Sequence, residues 1–109
     1  MARLSMVEAI NRTLHELMEQ DDRIVVLGED VGVDGGVFRA TVGLIDKFGP
    51  MRVIDTPLAE STIVGSAIGM AIYGMRPIAE IQFEGFIFKA YDHIYNHVSR
   101  LRKRSQGVY

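Results

Sequence analysis

The run Asp55-Thr56-Pro57-Leu58-Ala59-Glu60-Ser61 closes a short apolar strand and opens a helix of small and apolar residues. Glu60 stands at the threshold of a stretch without charge from Ser61 to Met75. A carboxylate placed there is either a helix cap or a working proton acceptor. Three segments follow directly on predicted strands: 28–36, 56–60 and 82–86. In open parallel sheets, ligands bind outside those carboxyl ends. Together the segments offer an apolar wall (Leu58), an aromatic face (Phe83 or Phe86), an amide (Gln82) and the Glu60 carboxylate. That set suits a flat heteroaromatic ring, whose face stacks and whose nitrogens pair with polar groups.

Two other groupings have less to recommend them. The loop from Gly28 to Gly36 is glycine-rich, but it matches neither G-x-G-x-x-G nor a P-loop. Its acidic residues (Glu29, Asp30, Asp34) would repel a phosphate, so it reads as a turn with an acidic rim. His93 and His97 lie four apart on a predicted helix, a spacing at which both can touch one metal. No acid adjoins them as in H-E-x-x-H, and the plainer reading is a surface or interface pair; no metal ligand is assigned.

The elements that must position these residues follow from periodicity. Ser5-Met6-Val7-Glu8 is a capping box, and Val7, Ile10, Leu14, Leu17 and Met18 recur at helical spacing, so a helix is predicted over 6–20. Met1 to Ser5 leads straight into it, without the apolar core of a secretory signal. Strands are predicted over 24–27 (closed by Gly28), 51–54 and 77–83. Helical patterns cover 41–48, 61–73 and, from Ile87, Ala90, Tyr91, Ile94, Val98 and Leu101, a last helix to Arg104. Short strands alternating with long crossovers predict an α/β fold, a parallel sheet with helices on both faces. Three strands make a small sheet, so the domain is read as incomplete, the front part of a larger one. Gly65 and Gly69, four apart on the helix over 61–73, point to close packing, and the all-round apolar character of that helix points to a subunit interface.

Composition limits the alternatives. The chain has 109 residues, 48% hydrophobic and 24% charged, with net charge −2. That balance points away from nucleic acid and from anionic membrane. The absence of cysteine excludes disulfides, thiolate catalysis and cysteine-ligated metal. The longest apolar run, 63–75, is interrupted by glycines and falls short of the ~20 residues of a membrane span. A cytoplasmic enzyme, or part of one, is the expectation. The basic end (Arg100, Arg102, Lys103, Arg104) complements a helix dipole.

Four motifs carry a resemblance: Gly28-Glu-Asp-Val, Gly35-Gly36-Val-Phe-Arg, Asp55-Thr-Pro-Leu-Ala-Glu60 and Glu80-Ile-Gln-Phe83. In that order the chain resembles, over nearly its whole length, the beta subunits of thiamine diphosphate-dependent 2-oxo acid dehydrogenases, such as those acting on pyruvate or branched-chain 2-oxo acids. The resemblance implies that residues 1–109 form the N-terminal portion of the pyrimidine-binding domain, truncated relative to the full subunit. It implies that Glu60 is the catalytic residue, hydrogen-bonded to N1′ of the cofactor's aminopyrimidine, with Leu58, Gln82 and Phe86 also binding that ring. A carboxyl group donating there favours the 4′-imino form, which deprotonates the thiazolium. Decarboxylation of the 2-oxo acid and acyl transfer to a lipoyl group then follow. Burial favours a protonated carboxyl and a helix N-terminus opposes it; the apolar surroundings point to burial.

The resemblance further implies an alpha subunit that holds the diphosphate and Mg2+ through a Gly-Asp-Gly motif. That motif is absent here, since Val33 precedes Asp34. The implied assembly is an alpha2beta2 heterotetramer with a second beta subunit, working with a lipoylated acyltransferase. The isolated segment is expected to be inactive. Family histidines that act on substrate lie beyond position 109, so His93 and His97 do not inherit that role. An acetoin dehydrogenase beta subunit, a transketolase-like enzyme and a non-catalytic pairing module remain as alternatives.

Overall fold

A computed structural model of the chain describes residues 3–109; Met1 and Ala2, part of the expected lead-in to the first helix, lie outside the described residues. The elements run α1 (Met6–Gln20), β1 (Ile24–Gly28), α2 (Leu44–Phe48), β2 (Val53–Asp55), α3 (Glu60–Ile72) and β3 (Arg76–Ala79). A 3₁₀ segment (Glu84–Ala90), a π-helical segment (His93–Val98) and α4 (Leu101–Arg104) follow. The sheet has the order β2-β1-β3, and both pairings are parallel.

β1 is buried at every position because it is the central strand, covered on two faces. Its side chains alternate. Ile24 and Val26 join Leu14 and Met18 of α1, Leu44 of α2, Val31 and Val53 in one cluster, with Ile78 of β3 packed against it. Val25 and Leu27 point the other way, in register with Pro77 and Ala79, on the side covered by α3. The expected parallel sheet with helices on both faces is therefore what forms.

α1 begins at the expected box: Glu8 N–H donates to Ser5 Oγ at 3.3 Å, and Ser5 N–H to Glu8 Oε2 at 2.7 Å. Three other expectations need correction. α2 starts at Leu44 rather than Thr41, because Gly43 sits in the left-handed region (φ 76°) and cannot be interior to a helix. β3 stops at Ala79 instead of Phe83: its last ladder bond, Glu80 N–H to the Leu27 carbonyl, lies where β1 itself ends. Gln82 and Phe83 therefore lie on an irregular segment past the strand. The last helix is broken rather than continuous. The hydroxyl of Ser99 donates to the Tyr95 carbonyl four residues back, a local bond that competes with regular α winding.

Candidate active site

The carboxyl ends of the three strands converge at one edge of the sheet. β1 ends on Gly28, where only a glycine fits: a Cβ there would stand 2.9 Å from Val31 Cγ1 and 3.0 Å from the Glu80 carbonyl oxygen. The chain then turns sharply through Asp30 (φ 57°), Gly35 and Gly36. Asp55, the last residue of β2, clamps this loop by accepting from Gly32 N–H at 2.6 Å and Val33 N–H at 3.2 Å. α1 holds the far side, with Asn11 Nδ2 donating to the Ala40 and Val42 carbonyls, each at 3.0 Å. The loop is thus built as an acidic turn pinned at both flanks, as its composition suggests.

Glu60 lies in the first turn of α3 and is 3% exposed. It is not the helix cap: that position is Ala59, which makes no side-chain cap bond. Glu60 Oε1 is buried with no hydrogen-bond partner among the described residues. Oxygens in the same condition cluster at this edge: Glu29 Oε1 after β1, Thr56 Oγ1 after β2 and Glu80 Oε2 after β3. A buried polar atom without a partner costs about 1–3 kcal/mol, so a group of them marks a place where folding has not satisfied the chemistry.

Glu29 was not expected in the site. It is 6% exposed, and burial, together with the charges of Glu60 and Asp30, raises its pKa. Lys89 and the Ala59 amide pull in the opposite direction. Glu80 is raised as well, by burial first and then by Asp30 and Glu29. The strand ends therefore carry several mutually repelling carboxyl groups, two of which hold protons more tightly than usual.

The other expected residues occupy different positions around this group. Gln82 Nε2 donates to the Glu29 carbonyl at 3.2 Å and to Asp30 Oδ2 at 3.0 Å, so the amide braces the loop. Phe86 is 37% exposed and meets Phe83 edge to face at 5.4 Å. Phe83 in turn meets Phe38 edge to face at 5.4 Å. Phe38, from the Gly35-Gly36-Val-Phe-Arg stretch, thereby extends the aromatic wall. The Lys89 ammonium lies 5.6 Å from the Phe86 ring centroid, and the Lys89 carbonyl accepts from the Ser61 hydroxyl, which ties the 3₁₀ segment to the start of α3. Leu58 stands 71% exposed beyond β2. Of the predicted set, Glu60, Gln82 and Phe86 are linked through Glu29, Lys89 and Ser61. The signal for Glu29 and Phe38 lay only in their motifs, since neither has a periodic neighbour.

Gly65 takes up a close approach within the chain: a Cβ there would lie 3.6 Å from His93 Nε2. Gly69 has nothing within 4 Å and stays open. Among the described residues no helix is long and apolar enough to cross a membrane.

Comparison with known proteins agrees with the parallel α/β architecture. The family model for the transketolase pyrimidine-binding domain matches residues 2–108. The chain is 57% identical, over all 109 residues, to the pyruvate dehydrogenase E1 component subunit beta of Acholeplasma laidlawii, covering 33% of that protein. It is 55% identical over 107 residues to the 2-oxoisovalerate dehydrogenase subunit beta of Bacillus subtilis, covering 98% of the chain and 33% of the relative. It is 53% identical over 104 residues to the 3-methyl-2-oxobutanoate dehydrogenase subunit beta of Mycobacterium tuberculosis, covering 95% of the chain and 30% of the relative. The chain thus spans about a third of the length of the curated relatives it matches. A parallel sheet with its unpaired carboxyl groups gathered at the strand ends, and a family match from end to end, lead to one conclusion: the chain belongs to the transketolase pyrimidine-binding domain family.

Proposed function

We propose that the chain supplies the aminopyrimidine half of a thiamine diphosphate site. The protein would be the beta subunit of a cytoplasmic 2-oxo acid dehydrogenase acting on pyruvate or a branched-chain 2-oxo acid, with a lipoyl carrier as acyl acceptor. The observation that carries this reading is Glu60 Oε1: a buried carboxylate oxygen without a partner among the described residues, at the strand ends, on a helix start that Ser61 ties to the segment carrying Phe86. An aminopyrimidine fits that donor set, because its ring nitrogen pairs with a carboxyl and its face stacks on an aromatic ring. When bound, thiamine diphosphate supplies a thiazolium carbon that adds to the 2-oxo group and an electron sink for loss of carbon dioxide.

The residues of this chain have separate tasks in that site. Glu60 Oε1 shares a proton with the ring nitrogen and so sets the protonation of the bound pyrimidine. Glu29, whose pKa is raised partly by the Glu60 charge, is the neighbouring carboxyl able to exchange that proton. Phe86 offers the stacking face, with Phe83 and Phe38 buttressing it edge on. Gln82 holds the Glu29 loop in place, and Leu58 supplies exposed apolar surface for the ring to cover. The diphosphate and Mg2+ fall to an alpha partner, since an acidic loop is a poor cradle for phosphate. A second beta subunit completes a heterotetramer, and a lipoylated acyltransferase receives the acyl group.

Glu60→Gln in the complete alpha–beta assembly tests the reading. Decarboxylation of pyruvate or a branched-chain 2-oxo acid, followed with an artificial electron acceptor, should fall by about 10²–10⁴-fold, the range for a positioned acid–base group. Unchanged turnover would remove Glu60 from the mechanism.

A further inference from the structure

The broken last helix carries a cluster of metal-ligating side chains that the proposed cofactor site does not use. Asp92, His93 and His97 each offer a ligand atom, and these atoms all lie within 4.8 Å of one another. The winding gathers them. In an α-helix, residues five apart diverge around the axis; in a π-helix the i→i+5 bond sets them on successive turns of one side. Ser99 N–H to the Ile94 carbonyl, at 3.1 Å, is such a bond, and the π segment runs from His93 to Val98 directly after Asp92. It brings Asp92 and His97 to the same side, with His93 beside them.

Two of the three side chains are held. Asn96 Nδ2 donates to Asp92 Oδ1 at 2.6 Å, an outer contact of the kind that orients a ligating carboxylate. His93 is half-buried, its ring lodged over Gly65 of α3. His97 is exposed, its ring centroid 5.7 Å from that of His93.

We propose that Asp92, His93 and His97 form a site for a divalent late first-row transition cation of the zinc class. Two imidazoles and one carboxylate are the three-ligand set such a cation takes when its fourth position is left to water. Magnesium and calcium, which prefer all-oxygen shells, do not match it. Metal–ligand distances near 2.1 Å require ligand atoms ~3.4 Å apart, and rotation of the exposed His97 side chain toward the held pair would close the remaining gap. Of the three, His93 also lines a cleft of about 360 Å³ with Ser61, Thr62, Gly65 and Ser66.

The test is calorimetric titration of the intact, chelator-stripped protein with zinc chloride alone. One zinc per chain should bind with micromolar or tighter affinity. His97→Gln should weaken binding at least ~10-fold, the lower bound set by loss of even an outer-shell contact. His15→Gln, which removes the third histidine of the chain, far off on α1, should leave binding unchanged. Absence of saturable uptake at millimolar zinc overturns the site, as does full affinity in His97→Gln or an equal loss in His15→Gln. Circular dichroism of the metal-free variants separates lost ligation from lost folding. Should His97→Gln fail to fold, the histidine ring signals of the unaltered protein decide the matter. Zinc must shift those of His93 and His97 and leave that of His15 in place, and any other pattern overturns the proposal.

Discussion

Glu29 and Glu60 arrive from different elements, one ending a strand and one opening a helix, and each keeps a buried oxygen without a partner. Their proximity has a thermodynamic sign. The folded chain raises the Glu29 pKa above its ordinary 4.5 through burial and the charges of Glu60 and Asp30. A raised folded-state value means the folded state holds that proton more tightly than the unfolded chain. The resulting stabilisation is complete below the unfolded pKa and is lost as pH rises through the folded one. At neutral pH Glu29 therefore opposes folding, and Glu80 acts in the same direction. Glu29→Gln should raise the urea midpoint at pH 7 and flatten the decline in stability above pH 4.5; a midpoint at or below that of the unaltered chain would contradict it. At the acid end the sign reverses at Asp21, lowered to about 2 by the Arg23 side chain and amide, so its support is lost as pH falls below 4 toward 2. Glu60 was legible in the sequence because it is a lone charge before an uncharged run. Glu29 was not, because its surroundings are assembled from distant positions: Gln82, 53 residues on, reaches back to its carbonyl.

Arg52 shows how few contacts join the elements. Its Nη2 donates to the Met18, Asp21 and Ile24 carbonyls at 2.8, 2.9 and 3.1 Å, and its Nε donates again to Ile24. One guanidinium thus satisfies the Met18 carbonyl in the last turn of α1, where no basic residue of the helix itself is available, joins it to the Asp21 cap, and anchors the start of β1. The same group lies over the Phe48 ring of α2, 5.1 Å from its centroid. Arg52→Ala should cost about 2–4 kcal/mol in denaturant unfolding, given ~1.5–3 kcal/mol for a hydrogen bond to a charged group and the non-additivity of bonds sharing one donor. Arg52→Lys should recover less than half of that, because an ammonium cannot reproduce the planar fork. Full recovery by lysine would show that charge alone matters. At this scale α1, β1 and α3 were readable because their signals are local: a capping box, a β-branched run, an uncharged apolar stretch. The ends of β3 and the last helix were not. The length of β3 is set by where β1 stops offering partners, and the break in the last helix by the bond of the Ser99 hydroxyl to the Tyr95 carbonyl, which periodicity does not register.

The whole molecule exposes more surface than its mass warrants. A compact monomer of 12.2 kDa should show about 6,100 Å², whereas this chain shows 7387 Å². Its radius of gyration is 14.5 Å, against about 13 Å for a compact domain of the same length. The excess exceeds the ~800 Å² that each partner contributes to an ordinary protein interface. Much of it is apolar. Tyr73 is 93% and Phe88 75% exposed. Val64, Ala67, Ile68 and Ala71 of α3 line an open groove of about 310 Å³ with Pro77, Ala79, Val98 and Leu101. Polar surface lost to a partner must be paired, but apolar surface of this extent gains ~25 cal/mol for each Å² covered. The isolated chain should therefore associate with itself when no partner is present. Light scattering across a concentration series should give a mass that rises above 12.2 kDa as concentration increases. Ala71 is exposed at the groove, so Ala71→Asp leaves the core intact while placing a charge where a partner would have to bury it. That variant should return the chain to monomer with its circular dichroism unchanged. A wild-type chain that stays monomeric throughout, or an Ala71→Asp chain that associates as strongly, would mean that the groove is not where the surface excess is covered.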